Sequence, residues 1–260
     1  MKLFDSHCHL DDKTYTRDLD KVIKRAQKAG VTRLMTIGVN GITSARAVEL
    51  AESYPDIYAS VGVHPHDAGN CRESVIDDLL KLAENPKVRA WGEIGLDFNR
   101  MYSPRKDQEK WFRKQLETAV SLDLPMIFHE RDSNGRFLEM LQNHTAQRLK
   151  GVVHCFSGDH KELEQYLDLG LHIGITGILT IKGRGNRLRK LADFIPADRL
   201  LVETDAPYLV PAPEKNHCRR NEPAFVKLVM LKLAEIKEEN PDQLAEIIWN
   251  NTCRLYGLEA

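Results

Sequence analysis

FDSHCHL, residues 4–10, closes a short apolar run with two histidines one residue apart. In an extended strand successive side chains alternate faces, so His7 and His9 point one way and Cys8 the other. Two imidazoles on one face at a strand end can grip a metal ion; equally, they can be polar groups held by hydrogen bonds. The number of further strands, and what stands at their ends, decides between these readings.

Apolar, β-branched runs recur along the chain and alternate with amphipathic stretches. Strands are expected at KLFDSH (2–7), RLMTIGV (33–39), IYASVGVH (57–64) and VRAWGEIGLD (88–97), then at PMIFHER (125–131), GVVHCFS (151–157), LHIGITG (171–177) and LLVETDAP (200–207). Between them lie helical patterns. PRKDQEKWFRKQLETAVSL (104–122) spaces Trp111, Leu116, Ala119 and Val120 for one face, and SVIDDLLKLAENP (74–86) has a serine start and a proline stop. Asn221 and Pro223 are expected to open AFVKLVMLKLAEI (224–236), and PDQLAEIIWNNTCRLYG (241–257) supplies a last helix. Landmarks near the strand ends (His7, Gly38, His64, Glu93, His129, His154, Gly177, Asp205) recur about every 30 residues, the length of a βαβ step. Eight such units predict a (β/α)8 TIM barrel, slightly distorted, formed by residues 1–260 as one domain; a doubly wound open sheet is the alternative.

Composition narrows the function. With 42% hydrophobic and 29% charged residues the chain reads as an ordinary globular protein, and a net charge of -1 excludes a global basic field that would draw in nucleic acid. Attraction for a polyanion would have to be local. Five scattered cysteines form no C-x-x-C pair, which argues against a disulfide framework or a zinc knuckle. No apolar stretch follows Lys2 and Asp5 to make a signal sequence, and none approaches the ~20 residues of a membrane span, so a cytoplasmic protein with no membrane association is expected. The sequence does not set the oligomeric state; a monomer is compatible with it.

The strand ends carry the chemistry. His7 and His9 stand on the first strand, His64 on the third, Glu93 on the fourth, His129 on the fifth, His154 on the sixth, and Glu203 and Asp205 on the eighth. Barrel enzymes assemble their sites from the C-terminal ends of strands, so these distant residues would meet at one mouth. Singly, each has a structural reading as a hydrogen-bonded polar group or a turn former. Together they would load one mouth with costly polar groups for no purpose unless a cation sits there. The donor set suits two divalent ions, zinc, manganese or iron, with magnesium as the oxygen-preferring alternative. His7, His9 and Asp205 are expected on one, His129 and His154 on the other, and Glu93 as the shared carboxylate.

FDSHCHL, GVHPHD, GEIGLDFNR, FHERD, HCFSG, ETDAPYL and RRNEP, in that order from residue 4 to about residue 225, resemble the signature set of the TatD-type metal-dependent hydrolases, a branch of the amidohydrolase-like barrels. That resemblance implies a distorted TIM barrel, the same six ligands, and a deoxyribonuclease that removes nucleotides from the 3′ end of single-stranded DNA. Asp205 is expected to take the proton from the attacking water, with Glu203 as a proton shuttle or partner of a ligand, and His64 and Arg131 contacting phosphate. Arg131 has an alternative as the ion-pair partner of Glu203. His66 follows a proline and is expected in a solvated loop. KGRGNRLRK (182–190) and the pair Arg219–Arg220 are candidate backbone-tracking clusters. Trp91 is expected in the core, and Phe98 is open to stacking on bases. The rival function is hydrolysis of amide or ester bonds, including aminoacyl-tRNA esters, at the same metal site. Barrels of that kind often bridge their metals with a carbamylated lysine on the fourth strand, where this chain offers Glu93.

Overall fold

The computed structural model describes residues 1–144 and 149–259. Eight parallel strands follow one another in sequence order: β1 (Leu3–Cys8), β2 (Val31–Ile37), β3 (Ile57–Val61), β4 (Val88–Asp97), β5 (Met126–Arg131), β6 (Gly151–Val153), β7 (His172–Ile175) and β8 (Leu200–Val202). Helices α1 (Leu19–Lys28), α2 (Gly41–Ser53), α3 (Glu73–Ala83), α4 (Arg105–Ser121), α5 (Arg136–His144), α6 (His160–Asp168), α7 (Asn186–Ala192) and α8 (Val226–Lys237) follow the strands in turn, and α9 (Pro241–Leu255) ends the chain. This is the (β/α)8 barrel expected from the sequence, nearly closed. No helix among the described residues is long and apolar enough to cross a membrane, and all five cysteines are free.

The last seam is made by loop ends rather than by strand ladders. Asp205 N donates to His7 O at 2.9 Å, His9 N donates to Ala206 O at 2.7 Å, and Ser6 Oγ donates to Val202 O at 3.0 Å. Below them Asp5 accepts hydrogen bonds from Thr204 N at 2.9 Å and Thr204 Oγ1 at 2.5 Å. The groups that close the ring are therefore the neighbours, or the backbone, of the site residues themselves.

Two apolar clusters follow from the strand pleat, whose alternate side chains face the barrel interior and the helices. The larger lies between strands and helices and contains Trp91, Phe112 and Phe128. The smaller joins Phe4, Met35, Ala90, Ile127, Val152 and Leu201 to Trp249, Cys253 and Tyr256 of α9. Asn251 of α9 donates to Ala197 O and Leu200 O, at the start of β8, so α9 plugs the end of the barrel opposite the strand C-termini. The last helix carries no motif because its task is to bury that end.

Strand starts lie within two residues of expectation, whereas β2, β3, β6, β7 and β8 end earlier. After β6 and β8 the chain turns out of the sheet, with Cys155 at φ 47° and Asp205 at φ 57°. Helix α3 starts at Glu73, one residue before the expected serine, and Arg72 offers it no side-chain cap. Asn221 does not cap the segment after it. It is fully buried, and its amide donates to Thr204 O at 2.9 Å and Tyr208 O at 2.6 Å, tying down the loop after β8.

One buried histidine lies away from the mouth. His172, at the start of β7, is 8% exposed and its Nδ1 has no hydrogen-bond partner. Burial, reinforced by the charge of Arg199 and Arg254 and opposed by Asp198, pushes its imidazole down from 6.5 to about 4. The unfolded chain takes up this proton first, so stability present at neutral pH is lost as pH falls from about 6.5 to about 4. At pH 5 that loss is about 2 kcal/mol. Urea unfolding of His172→Gln at pH 7 and pH 5 should show a pH-dependent loss smaller by about that amount; equal losses in both proteins would contradict it.

Candidate metal centre

Glu93 sits at the centre of the mouth. It is 3% exposed, and four imidazoles face its carboxylate: His129 Nδ1 at 2.7 Å, His7 Nε2 and His64 Nε2 at 3.4 Å, and His154 Nε2 at 3.9 Å. Gly95 lets β4 run close enough to β5 for this. It has φ 145°, and a Cβ there would lie 1.9 Å from His129 O. Asp205 approaches from the far side, its Oδ1 at 3.3 Å from His9, 3.8 Å from His7 and 3.9 Å from His154. The six expected ligands thus meet in one place.

Their grouping is finer than expected. Ligand atoms lie within 4.8 Å of one another in three sets: His7, His9 and Glu93; His7, His154 and Asp205; and His64, His66 and His129. The first matches the expected site. His154 falls with His7, on which it stacks with ring centroids 3.5 Å apart, rather than with His129 alone. Glu93 still touches both sides, within 4 Å of His129 and of His154.

The electrostatics are those of a cation site. Burial alone would raise the Glu93 carboxyl, but the imidazoles of His64, His154 and His7 and the hydrogen bond to His129 hold it well below the usual range. Burial likewise opposes ionisation of Asp205, and the His9 hydrogen bond and neighbouring histidines overcome it. His7 and His64 are pushed down by burial, His64 to about 4; neutral His7 keeps a free lone pair, whereas the Nδ1 lone pair of His64 is taken by His66 N. His129 is driven the other way: burial disfavours its charge, yet Asp97 and Glu93 raise it to about 9. His154 is likewise raised to about 10 by Glu203 and Glu93 against burial.

Neither ring nitrogen of the fully buried His7 has a hydrogen-bond partner. An unpaired buried polar group costs about 1–3 kcal/mol, and ionised carboxylates beside free imidazole lone pairs are what a divalent ion takes up. The residues present fit such an ion.

Glu203 supports the centre from behind. It is fully buried and accepts a hydrogen bond from Cys155 N at 2.6 Å. His154 Nδ1 lies 2.8 Å from its Oε1, close enough for strong attraction but without hydrogen-bond alignment, so His154 Nδ1 and Glu203 Oε2 stay unpartnered. Gly174 makes room for it, since a Cβ there would lie 2.7 Å from Glu203 Oε2. Among the described residues, Glu203 pairs with no arginine. Arg131, in register with Asp97 on β4, has no ion-pair partner among the described residues.

His64 takes up its structural reading and also lies beside the cluster. Its Nδ1 accepts from His66 N at 3.0 Å, capping the turn Pro65–Asn70, while its Nε2 lies 3.1 Å from His129 Nδ1. His66 is not a solvated loop residue. Its Nε2 is 2.7 Å from Asp97 Oδ2, and the same oxygen is 3.3 Å from His129 Nε2. Asp97 orients both histidines and was absent from the sequence expectations. Alternation along β4 could have found it, since Glu93, Gly95 and Asp97 lie at successive even offsets.

The basic clusters divide. Arg220 is spent on Asp18 at 2.8 Å and Glu222 at 3.0 Å, and Arg189 on Leu179 O at 2.7 Å, so both are structural. Arg184 and Arg219 are exposed without ion-pair partners among the described residues, and Arg187 pairs loosely with Asp159 at 3.8 Å. Trp91 is fully buried, as expected, and its Nε1 donates to Gln115. Phe98 packs against the core with the Arg105 guanidinium 4.4 Å from its ring, so it is not free to stack on a base.

Residues 4–257 match the family described as TatD related DNase. The chain is 40% identical over 258 residues to a Citrobacter koseri protein named 3′-5′ ssDNA/RNA exonuclease TatD, covering 98% of this chain and 99% of that one. It is 41% identical over 261 residues to a Rahnella protein of the same name, covering 99% of each. Among solved structures, the TatD homologue YjjV of Escherichia coli superposes with a TM-score of 0.91 at 32% identity, over 99% of this chain and 98% of that one.

Proposed function

We propose that this chain, which belongs to the TatD-related DNase family, hydrolyses phosphodiester bonds of single-stranded DNA or RNA from the 3′ end, using a centre built on His7, His9, Glu93, His129, His154 and Asp205. The observation that carries the reading is the convergence of four histidines, from three strands and the loops after them, on two carboxylates, the buried Glu93 and Asp205.

Divalent ions held by these residues supply Lewis acidity, which makes water a nucleophile at neutral pH and offsets phosphate charge. Asp205, whose side chain is 15% exposed, is the carboxylate open to the mouth and receives the proton of the attacking water. Glu203 holds His154 against rotation and keeps its far nitrogen toward the centre. Asp97 does the same for His129. His64, held neutral by burial and with its Nδ1 accepting from His66 N, offers its Nε2–H as a hydrogen-bond donor to a phosphate oxygen rather than a fixed charge. Arg131, two residues beyond His129, supplies the guanidinium for a non-bridging oxygen.

Incubating 3′-labelled and 5′-labelled single-stranded oligonucleotides with the metal-loaded protein tests the reading. Mononucleotide release should come first from the 3′ label, with a ladder shortening stepwise on the 5′-labelled strand and a blunt duplex resisting. Internal cuts at early times would refute exonucleolytic action. In the same assay Arg131→Ala should raise KM severalfold and reduce the slope of log affinity against log salt by about one, as one lost phosphate contact requires. An unchanged salt slope would remove Arg131 from the phosphate.

A further inference from the structure

Two tyrosines on the rim of the mouth leave their rings in solvent while their backbones are pinned. Tyr102, in the loop between β4 and α4, is 68% exposed and its ring centroid lies 4.7 Å from that of His66 at 75°. Tyr208, in the loop after β8, is 54% exposed and lies 5.7 Å from His9 at 68°. Neither hydroxyl has a hydrogen-bond partner among the described residues. Tyr15 and Tyr54, by contrast, spend theirs on Asn221 O and Asp20.

Both loops that carry them are held in place. Ser103, next to Tyr102, is 2% exposed; its hydroxyl donates to His66 O at 2.7 Å and accepts from Gly69 N at 2.8 Å. Tyr208 N donates to Asp205 O at 2.8 Å, and its carbonyl accepts from the buried Asn221 at 2.6 Å. These are aromatic faces fixed on either side of the histidine and carboxylate cluster, one by β3 and β4, the other by β8 and β1. Single-stranded nucleic acid alternates phosphates with aromatic faces, and stacking accepts every base.

We propose that Tyr102 and Tyr208 are base-stacking subsites for the two nucleotides that flank the scissile phosphate, an inference that rests on the phosphodiesterase reading above. The pair gives the enzyme its single-strand selectivity, because a base held in a duplex stack cannot turn onto either ring. Stacking alone gives no sequence selectivity, since every base has an aromatic face.

The test compares a short DNA strand with the same strand carrying tetrahydrofuran abasic residues at the flanking positions, using wild type, Tyr102→Ala, Tyr208→Ala and the two Tyr→Phe variants. Each alanine variant should raise KM for the base-bearing strand about tenfold with kcat nearly unchanged, and leave the abasic strand unaffected. The phenylalanine variants keep the ring and should match wild type. Equal effects on both strands, or none, would overturn the proposal. Binding is read separately with 2-aminopurine at the flanking positions, whose fluorescence should be quenched by wild type and not by the alanine variants. Quenching without cleavage would keep the stacking subsites and remove the phosphodiesterase reading; no quenching in wild type would overturn the subsites themselves.

Discussion

Glu93→Gln leaves a folded barrel whose cleavage of oligonucleotides falls about a thousandfold or more in kcat/KM. Glutamine keeps the volume of the side chain, so the packing between β4 and β5 survives. It loses the negative charge that faces His7, His64, His129 and His154 within 4 Å, and its amide nitrogen can only donate. Among the described residues no other carboxylate reaches both His7 and His129, so the two halves of the centre lose the group they share. Metal analysis after gel filtration should show less bound ion than wild type. Circular dichroism should show the same helix content. Undiminished cleavage with full metal content would mean that the chemistry is centred elsewhere.

Chelation should lower the melting temperature by roughly 10 °C, and readdition of zinc or manganese should restore it. A ligand present at a thousandfold excess over its Kd stabilises the folded state by about 4 kcal/mol, and each kcal/mol moves the midpoint by about 2–4 °C in a chain of about this size. The stripped protein keeps ionised carboxylates and protonated imidazoles in place of the ion, but His7 remains buried with both nitrogens unpartnered. Differential scanning calorimetry with EDTA, then with added ion, measures the difference. A midpoint unmoved by either would mean that the cluster holds no ion, whatever its geometry.

The strands and most helices were legible because their periodicities differ and the alternation is regular. The strand ends were not, since Cys155 and Asp205 leave the sheet through left-handed conformations that no local pattern announces. Among the site residues, the proposed ligands were legible as polar groups standing at strand ends. Asp97 was hidden by the turn-like sequence that follows it, although its hydrogen bonds to Asn99 N and Arg100 N also shape that turn. His66 was misread because a proline before it suggested departure from the fold. In fact Pro65 opens a short turn that points His66 back at the mouth. The fate of Arg220 depends on Asp18, some 200 residues away, which sequence spacing cannot supply. The exposure of Tyr102 and Tyr208 depends on which side chains fail to cover them.

The seam between the first and last strands also sets when the protein becomes dangerous. During translation His7 and His9 leave the ribosome early, but their closing hydrogen bonds run to Asp205 and Ala206. A nascent chain therefore carries half a centre with nothing to complete it until the eighth strand has emerged.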